Sequence, residues 1–481
     1  MPVATIAVYI AFLVFLFSWR YFFFKYIWII VTASWIVFAD ALLVGEHIWL
    51  YELQCSTYSN GSLLPIASAF SAMLFFALFL EARRISRHGG EHGYPVIEPN
   101  YTKTQLATIK WMGIIALAVS FTCFAFVVEH PSWLYARDRF EYAANFMPAF
   151  LSSNQQYLIL LIPLAFPCFK TGKKSIFYAV VVVYVLYLIW TGEKFTSLFL
   201  LFYVLLLAIA VPKLGSVSPR HAARMSNRAI AVMFGLTFAC LGLVLIQYSL
   251  QFGPEEAVSR FQQRIAAQGE VWWAVYGYSS EVGPRPFEIG DELATFYTRG
   301  DSSAVLYNSG MWKLMQLIMT PSYYAMYVGN AVRLSSSTPA SLYYYFGYFG
   351  LVIGLFFLIA LYYLVVNKTI ESLGKSRIVE SILYVYLVRV MHGVLIMTDF
   401  NLLFSWRTLA ILCLLTIIGV ARHWGAKKGD ACDAFSFEGN GQSESVAVRR
   451  CEGTSNRWRV IKRIALERRS HDRKNQDSFR K

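Results

Sequence analysis

Apolar stretches of about twenty residues recur along the chain, and each is long enough as a helix to cross a ~30 Å hydrocarbon core with its backbone hydrogen bonds satisfied internally. In order they run Val3–Trp19, Tyr26–Val44, Leu63–Leu80, Ile109–Val128, Phe150–Phe169, Ser175–Trp190, Thr196–Val211, Ala229–Leu250, Ser341–Val366, Ile378–Met397 and Thr408–Ala421. The pattern predicts an all-α polytopic integral membrane protein of about eleven transmembrane helices. A transmembrane barrel would instead show ~10-residue alternating segments, and none are apparent. The first run has neither a basic leader nor a small-residue cleavage site, so it reads as a span, not a removable signal.

Polar sequence divides these runs into four parts. Residues 1–250 hold the first eight spans, 251–339 form one large loop, 340–421 hold the last three spans, and 422–481 are a basic tail. Within the loop, Val258, Phe261, Ile265, Trp272 and Tyr276 fall within an arc of roughly 60° at helical spacing, which predicts an amphipathic helix over 255–276 lying on the membrane or the bundle. Pro254, Glu255 and Glu256 suit its start, because acidic groups favour a helix amino terminus. In the tail, Gly/Ser-rich sequence from Gly439 to Ser445 predicts disorder up to Thr454. A short basic helix from Trp458 to Arg469 then either lies on anionic lipid or serves only to retain the tail on one side.

Composition agrees with the membrane reading, since 57% apolar and 15% charged residues do not suit a water-facing surface. The formal net charge of +14 would suggest a nucleic-acid partner in a soluble chain. Here its distribution reads as topology, and no nucleic acid is expected. Arg83, Arg84, Arg87 and Lys103 mark one cytoplasmic connection; Lys170, Lys173 and Lys174, then Lys213, Arg220, Arg224 and Arg228, then Lys368, Lys375 and Arg377 mark the others. That places the amino terminus outside, the carboxyl terminus inside, and the 251–339 loop outside. The seven cysteines show neither paired nor metal-type spacing.

The candidate chemistry is cationic and mostly in outer segments. Arg260 and Arg264, one helical turn apart, can converge on one anion, for which the guanidinium fork is well shaped; they can equally pair with Glu256 or Glu270, or with lipid phosphate generally. Arg137 and Arg139 run against the charge bias, and either a substrate pyrophosphate or a salt bridge with Asp138 or Glu141 explains them. Lys194, in the turn Thr191-Gly192-Glu193-Lys194-Phe195, sits where a cation meets a lipid-borne phosphate, or where a lysine simply snorkels. Arg299 stands near Glu288, Asp291 and Glu292 in a Pro- and Gly-rich stretch whose carboxylates suit either general-base work or plain solvation. Arg389 and His392, three residues apart inside the tenth run, are ionisable groups at membrane depth and point to a cavity. The aromatics Tyr343, Tyr344, Tyr345, Phe346 and Tyr348 read as an interface belt.

Three features resemble the Wzy-type O-antigen and oligosaccharide repeat-unit polymerases, relatives of the O-antigen ligases. The ninth run opens Tyr345-Phe346-Gly347-Tyr348-Phe349-Gly350-Leu351-Val352-Ile353-Gly354, similar to the glycine-spaced helix entry after the large loop. Arg299 and Gly310 show the loose Arg-x10-Gly spacing. The turn Thr191-Gly192-Glu193-Lys194 resembles Thr-Gly-x-Arg with lysine for arginine. The first arginine loop departs from the pattern, with Pro148 and Phe150 where glycine would stand eleven beyond Arg137 and Arg139. No histidine lies between Gln251 and Ser341, which favours polymerase over ligase.

The resemblance implies a GT-C-like helical fold in the bacterial inner membrane, with a large, partly helical periplasmic loop. It implies cofactor- and metal-independent polymerisation of undecaprenyl-pyrophosphate-linked oligosaccharide repeats, with membrane lipid and chain-length-regulating and flippase proteins as partners. Arg137, Arg139, Lys194, Arg260, Arg264 and Arg299 would hold the leaving pyrophosphate, and Glu270 or Asp291 would take the acceptor proton. A transporter or flippase for a lipid-linked glycan, a ligase, and a noncatalytic assembly protein are the competing expectations.

Overall fold

The computed structural model describes residues 2–87, 101–135, 139–192, 195–214, 219–297, 309–329, 334, 337–397 and 400–435. Its compact unit is Met1–Ile417. The second unit, Ile418–Lys481, is described as far as Phe435, where it is helix.

The helices, in chain order, are α1 (Pro2–Ser18), α2 (Arg20–Gly45), α3 (Leu63–Arg87), α4 (Lys103–Ala125), α5 (Ser132–Tyr135), α6 (Arg139–Asn145), α7 (Ala149–Asn154), α8 (Leu161–Lys170), α9 (Lys174–Trp190), α10 (Phe195–Leu214), α11 (Pro219–Phe252), α12 (Pro254–Ala266), α13 (Glu270–Val282), α14 (Ile289–Tyr297), α15 (Gly310–Ile318), α16 (Pro321–Gly329), α17 (Ser337–Gly374), α18 (Ile378–His392) and α19 (Trp406–Phe435). Among the described residues, seven helical segments are long and apolar enough to cross a membrane: Arg20–Gly45, Leu63–Ser86, Lys103–Ala125, Ala149–Lys170, Ala223–Leu250, Thr338–Gly374 and Ile378–Leu395. Pro2–Ser18, Lys174–Trp190 and Ser197–Leu207 are shorter apolar helices. The protein is a multi-pass α-helical membrane protein. Its outward faces fit lipid: Phe349 and Ile353 on α17 are 81% and 68% exposed, positions that would be a liability in water.

The helices form two packed groups. In one, α2 contacts α1, α3, α10 and α11, and α17 lies against α3 and α10. In the other, α4, α8 and α9 pack on one another, and α18 joins α8. The contact of α17 with α18 is the seam between them. α2 is apolar all round and correspondingly central, with Phe22 through Ile30 fully buried. Trp28 closes the seam, its ring 4.2 Å from Phe199 and 4.1 Å from His392.

Several boundaries differ from the sequence pattern. α2 begins at Arg20, so Arg20 and Lys25 lie inside a helix, not in a connection; α3 likewise runs through Glu81, Arg83 and Arg84. Lys25 Nζ sits 2.7 Å from Glu81 Oε2 and 2.6 Å from Asn367 Oδ1, with both charged side chains buried, and neutralising one another lets two charges continue apolar helices. The fifth run is α7, a 3-10 turn at Gln155–Leu160 and α8; the tenth ends in a π-helical turn at Gly393–Met397. Helix α19 continues through the first tail residues to Phe435, while 458–469 lie outside the described residues. A two-stranded antiparallel pair, Trp49–Leu50 with Cys55–Ser56, sits between α2 and α3 and was not apparent from the sequence.

Candidate functional site

The large loop lies on one end of the bundle, and three polar clusters form there. The predicted helix over 255–276 is two helices. α12 ends at Ala266 and α13 begins at Glu270, because Gly269 presses onto the backbone of α2; a Cβ there would stand 2.8 Å from Asp40 N. Trp272 then packs inward, its Nε1 donating to Ser62 O (3.2 Å), while the Ser62 hydroxyl donates to buried Asp40 (2.8 Å). Asn60 Nδ2 donates to Trp273 O and Trp273 Nε1 to Tyr58 O, which fastens the α2–α3 connection to α13.

Arg260 and Arg264 do not converge on one anion in this arrangement. Arg260 pairs with Glu256 at 2.6 Å, its guanidinium 3.9 Å from the centre of the Phe252 ring. Arg264, exposed, lies within electrostatic reach of Glu270. Glu270 itself is 1% exposed, and its Oε2 has no hydrogen-bond partner. Burial, then the charge of Glu52, push its pKa well above the usual carboxylate range, with Arg264 opposing them weakly. Glu270 is thus buried beneath the loop in surroundings that favour its protonated form, and it is not exposed to act as a base from solvent. The Tyr327 hydroxyl donates to Glu52 at 3.4 Å and borders the same group.

The second cluster centres on Lys313, whose Nζ lies 2.7 Å from Glu288 Oε2 and 2.8 Å from Asp291 Oδ2. Tyr344 donates to Glu288 (2.6 Å), and Tyr345 and the amide of Gly310 both donate to Glu292 Oε1 (2.7 and 2.6 Å). Burial works to raise the Glu288 pKa, but the Lys313 and Tyr344 hydrogen bonds outweigh it and leave it lowered. Burial similarly opposes the charge on Lys313, and Asp291 and Glu288 reverse that effect. Asp291, a sequence candidate for the base, is therefore engaged in a clamp joining α14, α15 and α17. Lys313 carries no signal in the sequence, being a lone lysine in an apolar nine-residue helix.

The third cluster joins elements from both halves of the chain. Arg389 of α18 hydrogen-bonds Gln156, and Arg407 of α19 hydrogen-bonds the Tyr157 hydroxyl. The two guanidinium groups lie 5.5 and 5.8 Å from the centre of the same Tyr157 ring, which stacks on Tyr386 (6.0 Å, 11°). Among the described residues no carboxylate pairs with Arg407. Gln155, the next residue back, reaches Thr191, the start of the Thr-Gly-Glu-Lys turn, at 3.4 Å. Helix α14 packs on the 3-10 turn Phe400–Phe404 just before Arg407, so this cluster shares the loop end of the bundle. His392, one helical turn on from Arg389, is 3% exposed in the seam over Trp28, with Nε2 unpartnered. Arg137, Lys194 and Arg299 lie outside the described residues, as does the side chain of Arg139, which opens α6. Arg407 and Tyr157 carried no sequence signal, one being a cation just before an apolar run and the other a tyrosine within one.

A cleft of about 240 Å³ opens beside α13, lined by Tyr58, Asn60, Trp273, Gly277, Tyr278 and Glu281 with Leu317 and Ile318 behind them.

Residues 305–412 match the model of a family of unknown function, DUF6418, a segment that carries Lys313, Tyr344, Tyr345, Arg389, His392 and Arg407. No curated protein and no solved structure matches the chain.

Proposed function

We propose that this protein is a bacterial inner-membrane glycosyltransferase that polymerises undecaprenyl-pyrophosphate-linked oligosaccharide repeats on the periplasmic face. It has about eleven spans in a GT-C-like arrangement, with its amino terminus outside and its carboxyl terminus inside. The observation that carries the reading is the convergence of Arg389 and Arg407 on Tyr157 at the loop end. In the reaction, a hydroxyl of one repeat forms a bond to the anomeric carbon of the growing chain, the bond from that carbon to the lipid pyrophosphate breaks, and the hydroxyl proton leaves to water or to the departing pyrophosphate. Negative charge grows on the departing pyrophosphate, and preorganised guanidinium groups beside it stabilise that state more than the ground state. Arg264, exposed on the same end, serves the headgroup region. Lys194, Arg299, Arg137 and Arg139 belong to the same cationic face by sequence.

A second reading, a transporter or flippase for the same lipid-linked glycan, is favoured by Lys25, Asp40, Glu81 and His392, all buried within the apolar helices. Such groups are costly at membrane depth and often mark a pathway. The polymerase reading stands ahead of it because Lys25 and Glu81 neutralise each other and Asp40 is held by Ser62.

The test is deletion of the gene, complementation with wild type, Arg407→Ala or Arg389→Ala, and gel separation of the glycans. Polymerase loss leaves single repeats attached to lipid A; flippase loss leaves no repeat outside; ligase loss leaves long free chains. Each arginine variant should reach the membrane at normal abundance and lose polymer by a rate factor of about 10²–10³, the scale of one transition-state donor. Wild-type chain lengths in both variants would remove the proposed site.

A further inference from the structure

We infer that the cleft beside α13 is a binding site for a single neutral or amino sugar ring, a subsite for the glycan. This rests on the polymerase reading for its biological meaning but on the cleft's own chemistry for its content. A pyranose presents a face of C–H groups and a rim of hydroxyls, so it needs aromatic surface next to a few fixed donors and acceptors. The cleft has both. Trp273, 4% exposed, is its floor, and Tyr58 stands edge-on to it, ring centres 5.2 Å apart and planes at 73°, while remaining 52% exposed. Tyr278 forms a second aromatic wall.

Asn60 is held by the protein, but three other polar groups of the lining are open to a ligand. Among the described residues, neither the Tyr58 nor the Tyr278 hydroxyl makes a hydrogen bond within the protein, and the exposed carboxylate of Glu281 has neither a hydrogen bond nor an ion pair. Two phenols and a carboxylate match a ligand made of hydroxyls. The carboxylate disfavours an anion, which separates this site from the guanidinium pair at Tyr157. The floor is open because residue 277 is glycine: a Cβ there would lie 3.5 Å from Asn60 Nδ2 and 3.7 Å from Tyr58 Oη, so a longer side chain would enter the cleft. At about 240 Å³ the space is below the ~300–1,000 Å³ of sites for drug-sized ligands, and it takes one ring, not a chain.

The site is rigid where it must be. Asn60 and Trp273 each hold the other's backbone segment, with Asn60 Nδ2 donating to Trp273 O at 2.8 Å and Trp273 Nε1 donating to Tyr58 O at 3.0 Å. The aromatic floor therefore keeps its orientation when empty, which limits the ordering cost of binding.

The test uses full-length protein in phosphatidylglycerol/phosphatidylethanolamine nanodiscs and saturation-transfer NMR with free glucose, galactose, rhamnose, N-acetylglucosamine and N-acetylgalactosamine. At least one sugar should receive saturation at its ring protons. Gly277→Leu should weaken that binding about tenfold or more, the scale of forcing a side chain into occupied space. Glu281→Gln and Tyr278→Phe, exposed or half-exposed changes that leave folding intact, should each weaken it as well, and Arg407→Ala should not. Absence of transfer from every sugar overturns the inference, and so does wild-type transfer in Gly277→Leu, or in both conservative variants if Gly277→Leu does not fold. If the deletion strain still makes full-length polymer, the polymerase reading fails while the binding result stands. If polymer depends on Arg407 but no sugar binds, the cleft alone is refuted.

Discussion

Glu270 occupies the first turn of α13 with its carboxyl turned under the loop, and its environment decides its protonation before any substrate arrives. An unperturbed glutamate loses its proton near pH ~4.3. In the folded protein burial and Glu52 push that point well up, so the native state binds a proton that the unfolded chain releases. The stability this contributes is complete below the unfolded value and is lost as pH rises through the folded one. Glu270→Gln, which keeps the neutral shape, should remove this loss. The variant's apparent unfolding temperature in detergent should fall less between pH 5 and 9 than that of wild type, and lie above it at the alkaline end. Parallel curves would show that the Glu270 proton is not held. Glu288 works in the opposite sense: its lowered pKa keeps the Lys313 clamp charged at neutral pH, and that contribution disappears as pH falls below the ordinary carboxylate range.

Among the elements, α17 shows most directly how loop and membrane helix are joined. The helix is broken at Gly347, whose φ of 66° and ψ of −164° lie in a region essentially reserved for glycine. The break frees the carbonyl of Tyr344, and the amide of Arg285 donates to it at 2.9 Å, so the loop backbone takes the place of a missing helical bond. Pro284 fills the space at the kink; its Cγ would be 3.2 Å from a Cβ on residue 347. Gly347→Ala should therefore cost about 1–3 kcal/mol of stability from backbone strain alone. It should also loosen the Tyr344–Glu288 and Tyr345–Glu292 bonds, seen as faster hydrogen exchange over 283–292 than over α3. Exchange at the wild-type rate would mean that the kink does not anchor the loop. The glycine spacing in this run was visible in the sequence, but its role was not, since a glycine in a helical pattern does not announce whether it kinks, packs or neither.

In the molecule as a whole, charge is divided between two levels. The loop end carries the three clusters described above. The Lys25–Glu81–Asn367 knot lies toward the other end of the same helices, since Lys25 and Asp40 are fifteen residues and about 22 Å apart along α2. This knot ties α2, α3 and α17, and the hydroxyl of Tyr203 on α10 donates to the carbonyl of Lys25. Lys25→Met alone should cost about 1–3 kcal/mol, because Glu81 Oε2 loses its buried donor while Arg84 still holds Oε1 at 2.9 Å. Lys25→Met with Glu81→Met should restore part of it, since two apolar side chains replace the buried pair while Arg84, 20% exposed, is left to the Tyr21 hydroxyl and solvent. A double-mutant cycle on apparent unfolding temperature measures this; an additive cycle would show that the two charges do not depend on each other.

How much the chain announces in advance depends on whether the governing physics is local. Length and apolarity of a run decide that it spans a bilayer, because each helix must satisfy its own backbone bonds, and so the membrane class, the large loop and most helices could be read from hydropathy alone. Charge signs next to those runs supplied the expected orientation in the same way. Which charges face water and which face each other is not local. Lys25 and Glu81 look like flanks of neighbouring runs until the helices extend and pack. Asp291 looks like an available base until Lys313, twenty-two residues on, closes over it. Arg260 and Arg264 look like a pair until Glu256 takes one of them. Arg389 and Arg407 meet only because the 3-10 turn at Gln155–Leu160, far back in the chain but packed on α18, brings Tyr157 to both. Periodicity places a side chain on a face of its own helix; only the packing of that face against another decides what the side chain meets, how much water it keeps, and hence what chemistry it is fit to do.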